Sequence, residues 1–575
     1  MPLDFKNIEP EFTSRGLKVP KLVVLEPDAQ IYDILAIQPT GKIAMQPGFI
    51  GHVDRDGAQH RFEDFLGMAI SKNCAVALAP EYSCPWETLE KFVTSEQLPQ
   101  AGKLWILGCE GIRPVELEKL IERCKHVVWI HEKIPTGTGS TLGVLAYLTR
   151  TENQAGESRH AIVLQFKTQA MGGDADERNL LIPGRAVYIW HNQPAYIQLV
   201  SIICADSLGF DQAPYRDHRL DVDPTIIFHP QLTADPLHVA MCAYRASLFG
   251  LASTDKLEVI SLNWARGFEV PKKGVIAYGG SAIYTKAPQM DTSDGRVDAN
   301  HNLGLYFTDW KTHRTKLCFF NFNEHIFHFR NLKVAHRGPG VFAQRTGPEM
   351  LSVLQWQQDQ NKWVPLDFAV DGFAELCGQY NDGNGDYCLD NGFSHLDRER
   401  LLALSAGHFQ PSKTWYKIDH LDSFTSNGDE RCKRLTFTHE QIGASRMFRQ
   451  THMERYSKLQ TAVLGNEANF PENIQDLKND CQLRPPNKDT DFRFNLHSAS
   501  GSAAPSTGVF MGVTPAVEAK QLFDSVVTEW GWDRTRRLVV WYERNNGQID
   551  YVKPPVPLIS DGSESPATIT SGGDS

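Results

Sequence analysis

Three side chains able to do chemistry each close an apolar run. Glu81 follows the run in AVALAPEYS, Lys167 the run in AIVLQFKTQ, and Cys204 the run in QLVSIICADSLGFD. A buried strand followed by polar residues brings Cys204 to the strand's C-terminal end, where the chain turns and backbone N–H groups come free. That placement suits a nucleophile with an oxyanion site beside it. Each residue alone has a plainer account. A cysteine ending an apolar strand is commonly core, and a charged residue there commonly marks where the chain reaches water. The chemistry requires the three strand ends to meet.

The surrounding elements could bring them together. The first part of the chain carries short apolar runs, among them KLVVL, KLWILG, HVVWI, PTIIFHP, LEVISLNW, GGSAIY, LGLYF and KLCFFNF, which read as strands. Apolar residues three and four apart predict helices over 60–71, 114–124 and 237–251. The mixture describes sheets covered by helices, an α/β fold.

The order of the three residues resembles the carbon-nitrogen hydrolase (nitrilase) superfamily: a Glu after Pro at a strand end, then a Lys, then a Cys closing a run that ends Ile-Cys. Lys167 and Cys204 are 37 positions apart, as is typical there. ERNLLIPG is similar to the family's second-glutamate stretch and places Glu177. Arg245 and Ala246 in YRASLFG, Asn263 in SLNW, and Gly279, Gly280 and Ser281 in YGGSAIY resemble its later landmarks. The resemblance covers about residues 20 to 335. Ala205 departs from it, standing where the family usually has an aromatic residue, before Asp206. The missing ring would reshape the pocket and with it the substrate class.

The resemblance implies a four-layer αββα sandwich of the nitrilase type and a hydrolase cleaving an amide, nitrile or related non-peptide C–N bond. In that scheme Glu81 takes the Cys204 proton and the sulfur attacks the electrophilic carbon. Lys167 and the Ala205 N–H hold the developing charge, Glu177 positions Lys167 or the substrate, and Ala205, Asp206 and Asn263 line the oxyanion pocket. No metal or organic cofactor is required. The implied partner is a small amide or nitrile, and pairing of copies into a homo-oligomer follows by the same analogy.

A length of 575 residues predicts more than one domain. The expected division is 1–345 for the hydrolase-like part and 346–575 for a mixed α+β domain of unknown role. Within the latter, 484–508 reads as a polar linker and 560–575 as a disordered tail. LSVLQWQQDQNKWVPLDF reads as two strands around a turn, VEAKQLFDSVVTEWG as a helix, and RLVVWYERNNGQIDYV as a hairpin turning at 545–547.

Other functions find little support. A formal charge of −11 without Lys/Arg blocks gives no electrostatic path for nucleic acid. The start lacks a signal-like segment and no run approaches a membrane span, so a cytoplasmic location is expected. The 11 cysteines show no CxxC pair, and no zinc site is expected. HEKIPTGTGSTLG lacks a P-loop ending and reads as a flexible loop. In NDGNGDYCLDNG, Asp382, Asn384 and Asp386 are spaced like calcium ligands, but Tyr387 and Phe393 occupy positions that need Gly and Glu. His325, His328 and His336 read as strand and turn residues. The rival reading is a nitrilase-like scaffold or sensor, as in bacterial antiviral systems, with residues 346–575 binding a partner or ligand.

Overall fold

The computed structural model describes residues 3–26, 31–171, 175–192, 197–234, 239–251, 257–276, 280–286, 305–309, 315–321, 323–332, 348–366, 395–417, 451–452, 454–465 and 470–554. The chain divides into two units, 1–398 with 417–447, and 399–416 with 448–575.

The first unit is α/β and built on two large sheets. An eight-stranded sheet runs in the order Asp4–Asn7, Ala186–His191, Gln198–Ser201, Thr225–Pro230, Leu257–Leu262, Ala282–Lys286, Thr315–Phe320, Leu305–Asp309. The strand leading to Cys204, Gln198–Ser201, pairs in parallel with Thr225–Pro230 and antiparallel with Ala186–His191. An eleven-stranded sheet carries Glu81 and leads to Lys167. Its centre is Ile31–Gln38, Val76–Cys84, Leu104–Ile112, Leu142–Glu152 and Ser158–Phe166. The hairpin Ile43–Gln46 and Phe49–His52 joins its side through Leu104–Ile112.

Alternation along the strands divides the apolar residues among separate cores. Ile34, Ala36, Val76 and Leu78 of the larger sheet pack with Tyr188, Leu199, Ile226 and Phe228 of the smaller, and Cys204 belongs to this cluster. The opposite residues of the larger sheet, such as Leu35, Ala77 and Leu107, pack with Phe62, Leu66, Leu89 and Leu117 from helices. The smaller sheet does the same with Tyr215 and Leu248. The helices run Arg55–Ser71, Pro114–Arg123 and Val239–Leu251, close to the expected spans.

Two expectations change. KLVVL is a short 3-10 turn, Val23–Leu25, rather than a strand. Both Val24 and Leu25 are buried, and the Val23 N–H donates to the Gly102 carbonyl while its own carbonyl accepts from the Glu26 N–H. The division expected at 345 also falls inside a sheet. Glu349–Gln357 pairs with His325–Leu332, and Lys362–Pro365 adds beyond it. Edge strands separated by 16 residues of connecting chain give no compositional signal of belonging to the earlier sheet.

The second unit has its own core, centred on Leu459, Ile474, Leu477, Leu496, Phe510, Val539 and Trp541. Thr507–Val513 and Leu538–Glu543 pair in parallel, joined by the helix Ala516–Trp530, and Ile549–Tyr551 completes an antiparallel edge. The turn between the last two strands holds Gly547 at φ +80°, a conformation that favours glycine. The expected linker 484–508 is instead packed into this unit. Leu496 and Asn495 are fully buried, and the Asn495 amide both donates to the Gly508 carbonyl and accepts from its N–H. Its polar residues build turns, with Asn487 accepting from the N–H groups of Asp489 and Thr490. The segment 381–392, His336, Gly279 and the tail 560–575 lie outside the described residues. His325 and His328 lie on the strand His325–Leu332. Among the described residues no helix is long and apolar enough to cross a membrane, and no cluster of three or more His, Cys, Asp or Glu could hold a metal ion.

Candidate active site

Glu81 sits in the strand Val76–Cys84, which continues past it and bends where its register with Leu104–Ile112 shifts between Ala79 and Cys84. The next residue, Tyr82, has φ +55°. Lys167 directly follows the strand Ser158–Phe166, and its N–H donates to the Gly143 carbonyl at 2.8 Å. Cys204 opens a 3-10 turn, Cys204–Gly209, three residues after the strand Gln198–Ser201. Its φ is +42°. A non-glycine residue in this region carries about 1–3 kcal/mol of strain that the surroundings must hold. Here Ile202 N–H donates to the Phe228 carbonyl at 2.9 Å, and His229 Nε2 lies 3.0 Å from the Cys204 carbonyl oxygen. Burial drives the pKa of His229 down to about 3, so its ring is neutral and donates from Nε2.

These side chains converge. Lys167 Nζ stands 2.6 Å from Glu81 Oε1, and also pairs with Glu177 Oε1. Glu177 comes from the short helix Ala175–Leu180 and accepts two further bonds, from the Tyr82 hydroxyl at 2.9 Å and from the Met171 N–H at 2.8 Å. The Lys167 ammonium also lies 5.4 Å from the Tyr82 ring centre. The Cys204 thiol donates to the Leu232 carbonyl oxygen at 3.9 Å and lies close enough to feel the Glu81 and Lys167 charges. Leu232 donates its N–H to Glu81 Oε2 at 3.0 Å, and the Trp264 indole donates to the Glu81 carbonyl at 2.8 Å.

The group is almost wholly withdrawn from solvent: Cys204 and Lys167 are 1% exposed, Glu81 3% and Glu177 4%. Burial pushes the Glu81 carboxyl up to about 7 against the opposing pull of Lys167. Burial alone would lower Lys167, yet Glu177 and Glu81 outweigh it and hold the ammonium well above its ordinary value. Burial, then the charge of Glu81, raises the Cys204 thiol well above its ordinary value. The resting site is therefore a neutral thiol beside a carboxylate poised near neutrality and a permanent ammonium. A thiol in that state needs a base to become a nucleophile, and a base is most useful when its pKa lies near the working pH.

The three residues expected to line the oxyanion pocket have different surroundings. Ala205 is fully buried in the turn directly after the thiol. Asp206 Oδ1 accepts from the Thr168 N–H at 2.9 Å, the Thr168 hydroxyl at 2.9 Å and the Gln169 N–H at 2.8 Å. It ties the turn after Cys204 to the segment after Lys167, and burial pushes its carboxyl up to about 7. Asn263 uses its whole side-chain amide on Thr233, accepting from its N–H and donating to its carbonyl, each at 3.0 Å. It thereby clamps the chain next to Leu232. Ser281 accepts from the Asn263 N–H at 3.0 Å and donates to Gln38 at 2.7 Å. Arg245 is buried with its guanidinium 4.8 Å from the Tyr284 ring centre, whereas Ala246 is exposed. Gly280 takes φ +105° while its N–H donates to the Trp264 carbonyl at 2.9 Å.

Sequence reasoning did not single out Leu232, Tyr82, Trp264 or His229. His229 carried a usable signal, since it is a polar residue closing the apolar run PTIIFHP, as Lys167 closes AIVLQF. Leu232 acts through its backbone, and no residue type reports that.

No protein-family model matches the chain, and no curated protein matches it. Among solved structures it is similar to a carbon-nitrogen hydrolase from Helicobacter pylori G27, with 11% identity and a TM-score of 0.26, over 44% of this chain and 82% of that one. It is also similar to a glutamine-dependent NAD(+) synthetase from Cytophaga hutchinsonii, with 8% identity and a TM-score of 0.25, over 89% of this chain and 65% of that one.

Proposed function

We propose that the chain is a hydrolase of non-peptide C–N bonds that works through a thioester on Cys204. The observation that carries this reading is the meeting of a thiol, a carboxylate poised near neutrality and an ammonium in one buried cluster, with Lys167 Nζ 2.6 Å from Glu81 and Leu232 hydrogen-bonded to both Glu81 and the Cys204 thiol. Glu81 accepts the thiol proton as sulfur attacks the carbonyl or nitrile carbon. Lys167 stabilises the negative charge that forms on oxygen or nitrogen, in a setting of low dielectric where such stabilisation is strongest. For an amide, the C–N bond breaks as Glu81 returns the proton to the departing amine. Water then gives a proton to Glu81 as it attacks the thioester, and the carboxylic acid and the Cys204 thiol are released. Glu177, bonded to Lys167, Tyr82 and Met171, positions the ammonium.

The same reading takes a small amide or nitrile as substrate and no cofactor. The four-layer αββα sandwich belongs to it, supported by one core between two sheets and one on the outer face of each. Cytoplasmic location and pairing of copies are further parts of the proposal, the second testable by light scattering. The experiment is ammonia release from a panel of small amides and nitriles by the intact chain and by Cys204→Ala. Cleaving at 345 would remove two strands of the larger sheet, so the intact chain is the proper reagent. Turnover lost in a folded Cys204→Ala supports the hydrolase. No turnover of any amide or nitrile by the intact chain would favour the scaffold or sensor alternative.

A further inference from the structure

A second candidate site lies among the hairpin Ile43–His52, the strand Leu104–Ile112 and the helices Trp86–Thr94 and Pro114–Arg123. It is a cavity of about 470 Å³, and none of Glu81, Lys167, Glu177 or Cys204 lines it. Its wall carries four acidic and four basic side chains. Three pairs are closed: Arg55 with Glu87, Arg123 with Glu90 through two bonds of 2.6 and 2.9 Å, and Arg113 with Glu116 at 3.9 Å. One acid and one base are left over.

The leftover acid is Glu110, fully buried on the strand Leu104–Ile112. Its Oε1 accepts from the His52 N–H at 3.2 Å, whereas Oε2 has no hydrogen-bond partner among the described residues. Burial pushes its carboxyl up to about 8 against the pull of nearby Arg55, whose ion pair is with Glu87. The leftover base is Lys119, exposed on the helix and in no ion pair among the described residues. Trp86, Ile112 and Leu120, all buried, and half-buried Phe49 supply the apolar part of the lining.

We propose that this cavity binds a small zwitterion, an amine and a carboxylate on one short apolar skeleton, with the ammonium at Glu110 and the carboxylate at Lys119. A cation alone would answer only the acid and leave Lys119 facing a neutral wall. An anion alone would leave the partnerless oxygen of Glu110 as it is. A zwitterion answers both while keeping the net charge of the wall unchanged, and the apolar wall accommodates its skeleton.

Isothermal titration of the intact chain tests this with four probes: L-leucine and 5-aminopentanoate, which differ in the spacing of their charges, and butylamine and butyrate, which carry one charge each. At least one zwitterion should bind more tightly than either singly charged probe. Glu110→Gln, which keeps the acceptor for the His52 N–H, and Lys119→Met, at an exposed position, should each weaken binding tenfold or more. Cys204→Ala should leave it unchanged. Failure of both zwitterions to bind overturns the proposal. So does equal binding of a singly charged probe, indifference to either wall substitution, or loss of binding in Cys204→Ala.

Discussion

The backbone N–H of Leu232 donates to Oε2 of Glu81 at 3.0 Å. The carbonyl of the same residue lies 3.9 Å from the Cys204 sulfur, so one peptide segment touches both ends of the proposed proton transfer. What fixes that segment is Asn263, whose amide grips the N–H and carbonyl of Thr233. Asn263→Ala would remove both hydrogen bonds to the Thr233 backbone, at about 0.5–1.5 kcal/mol each. The expected outcome is a lower melting temperature together with a fall in kcat larger than any change in KM. Steady-state kinetics and thermal unfolding of the variant check this. An unchanged kcat would remove Asn263 from the positioning of Glu81.

The pH dependence follows from Glu81. Its carboxyl is raised to about 7 by burial, and only the ionised form can take the thiol proton. Therefore kcat/KM should rise with pH through about 7 and level off above it. Stability linked to the same group runs the opposite way. With its folded value above the ordinary 4.5, its contribution is fully present below 4.5 and is lost as pH rises through about 7. Glu81→Gln should abolish the activity profile and reduce the loss of stability between those limits. A pH–rate profile and denaturant midpoints at pH 4.5 and 7.5 measure both.

Tyr82 tests whether Glu177 needs to be held. Its hydroxyl donates to Glu177 Oε1 at 2.9 Å, the oxygen that also meets Lys167. Tyr82→Phe removes one bond to a charged group, typically about 1.5–3 kcal/mol. The ring and its contact with the Lys167 ammonium remain. A stability loss in that range with kcat reduced about tenfold, the equivalent of roughly 1.4 kcal/mol, is expected. Equal kcat in the two proteins would mean that Met171 and Lys167 hold Glu177 without the hydroxyl.

Gly143 leaves room that the site uses. A Cβ there would stand 2.8 Å from the Tyr82 hydroxyl oxygen and 3.0 Å from the Lys167 Cβ. Gly143→Ala should therefore displace both side chains and lower kcat in a protein that still folds. Circular dichroism alongside kinetics separates displacement from unfolding. Wild-type turnover in a folded variant would show that the space is dispensable.

Much of this arrangement is legible in the residue pattern, and the reasons for the remainder are physical. The apolar runs before Glu81, Lys167 and Cys204 report buried strands, and amphipathic stretches report helices over 60–71 and 114–124, because both kinds of element bury an apolar face. IYDILAIQ carries no such unbroken run. Its eight residues, Ile31–Gln38, form a central strand of the larger sheet although Asp33 interrupts the run. Asp33 is tolerated by an ion pair with Arg330, 297 positions away, that no local pattern announces. The edge strands at 349–365 were legible as strands but not as members of the earlier sheet, because pairing is a long-range choice. The segment 484–508 has the composition of a linker, yet the Asn495 amide and buried Leu496 fold it into a core. Asp206 and Asn263 were marked as pocket residues by resemblance. Their hydrogen bonds make them supports for the segments that carry Lys167 and Leu232.

The central claim is that Cys204 forms the covalent intermediate. The most direct test is intact-protein mass measured after rapid quenching of the chain with a turned-over amide, followed by peptide mapping. The account predicts an added mass equal to the acyl group, located on the peptide containing Cys204 and absent from Cys204→Ala. Ammonia release by Cys204→Ala at the wild-type rate, or an adduct on another residue during turnover, would contradict it.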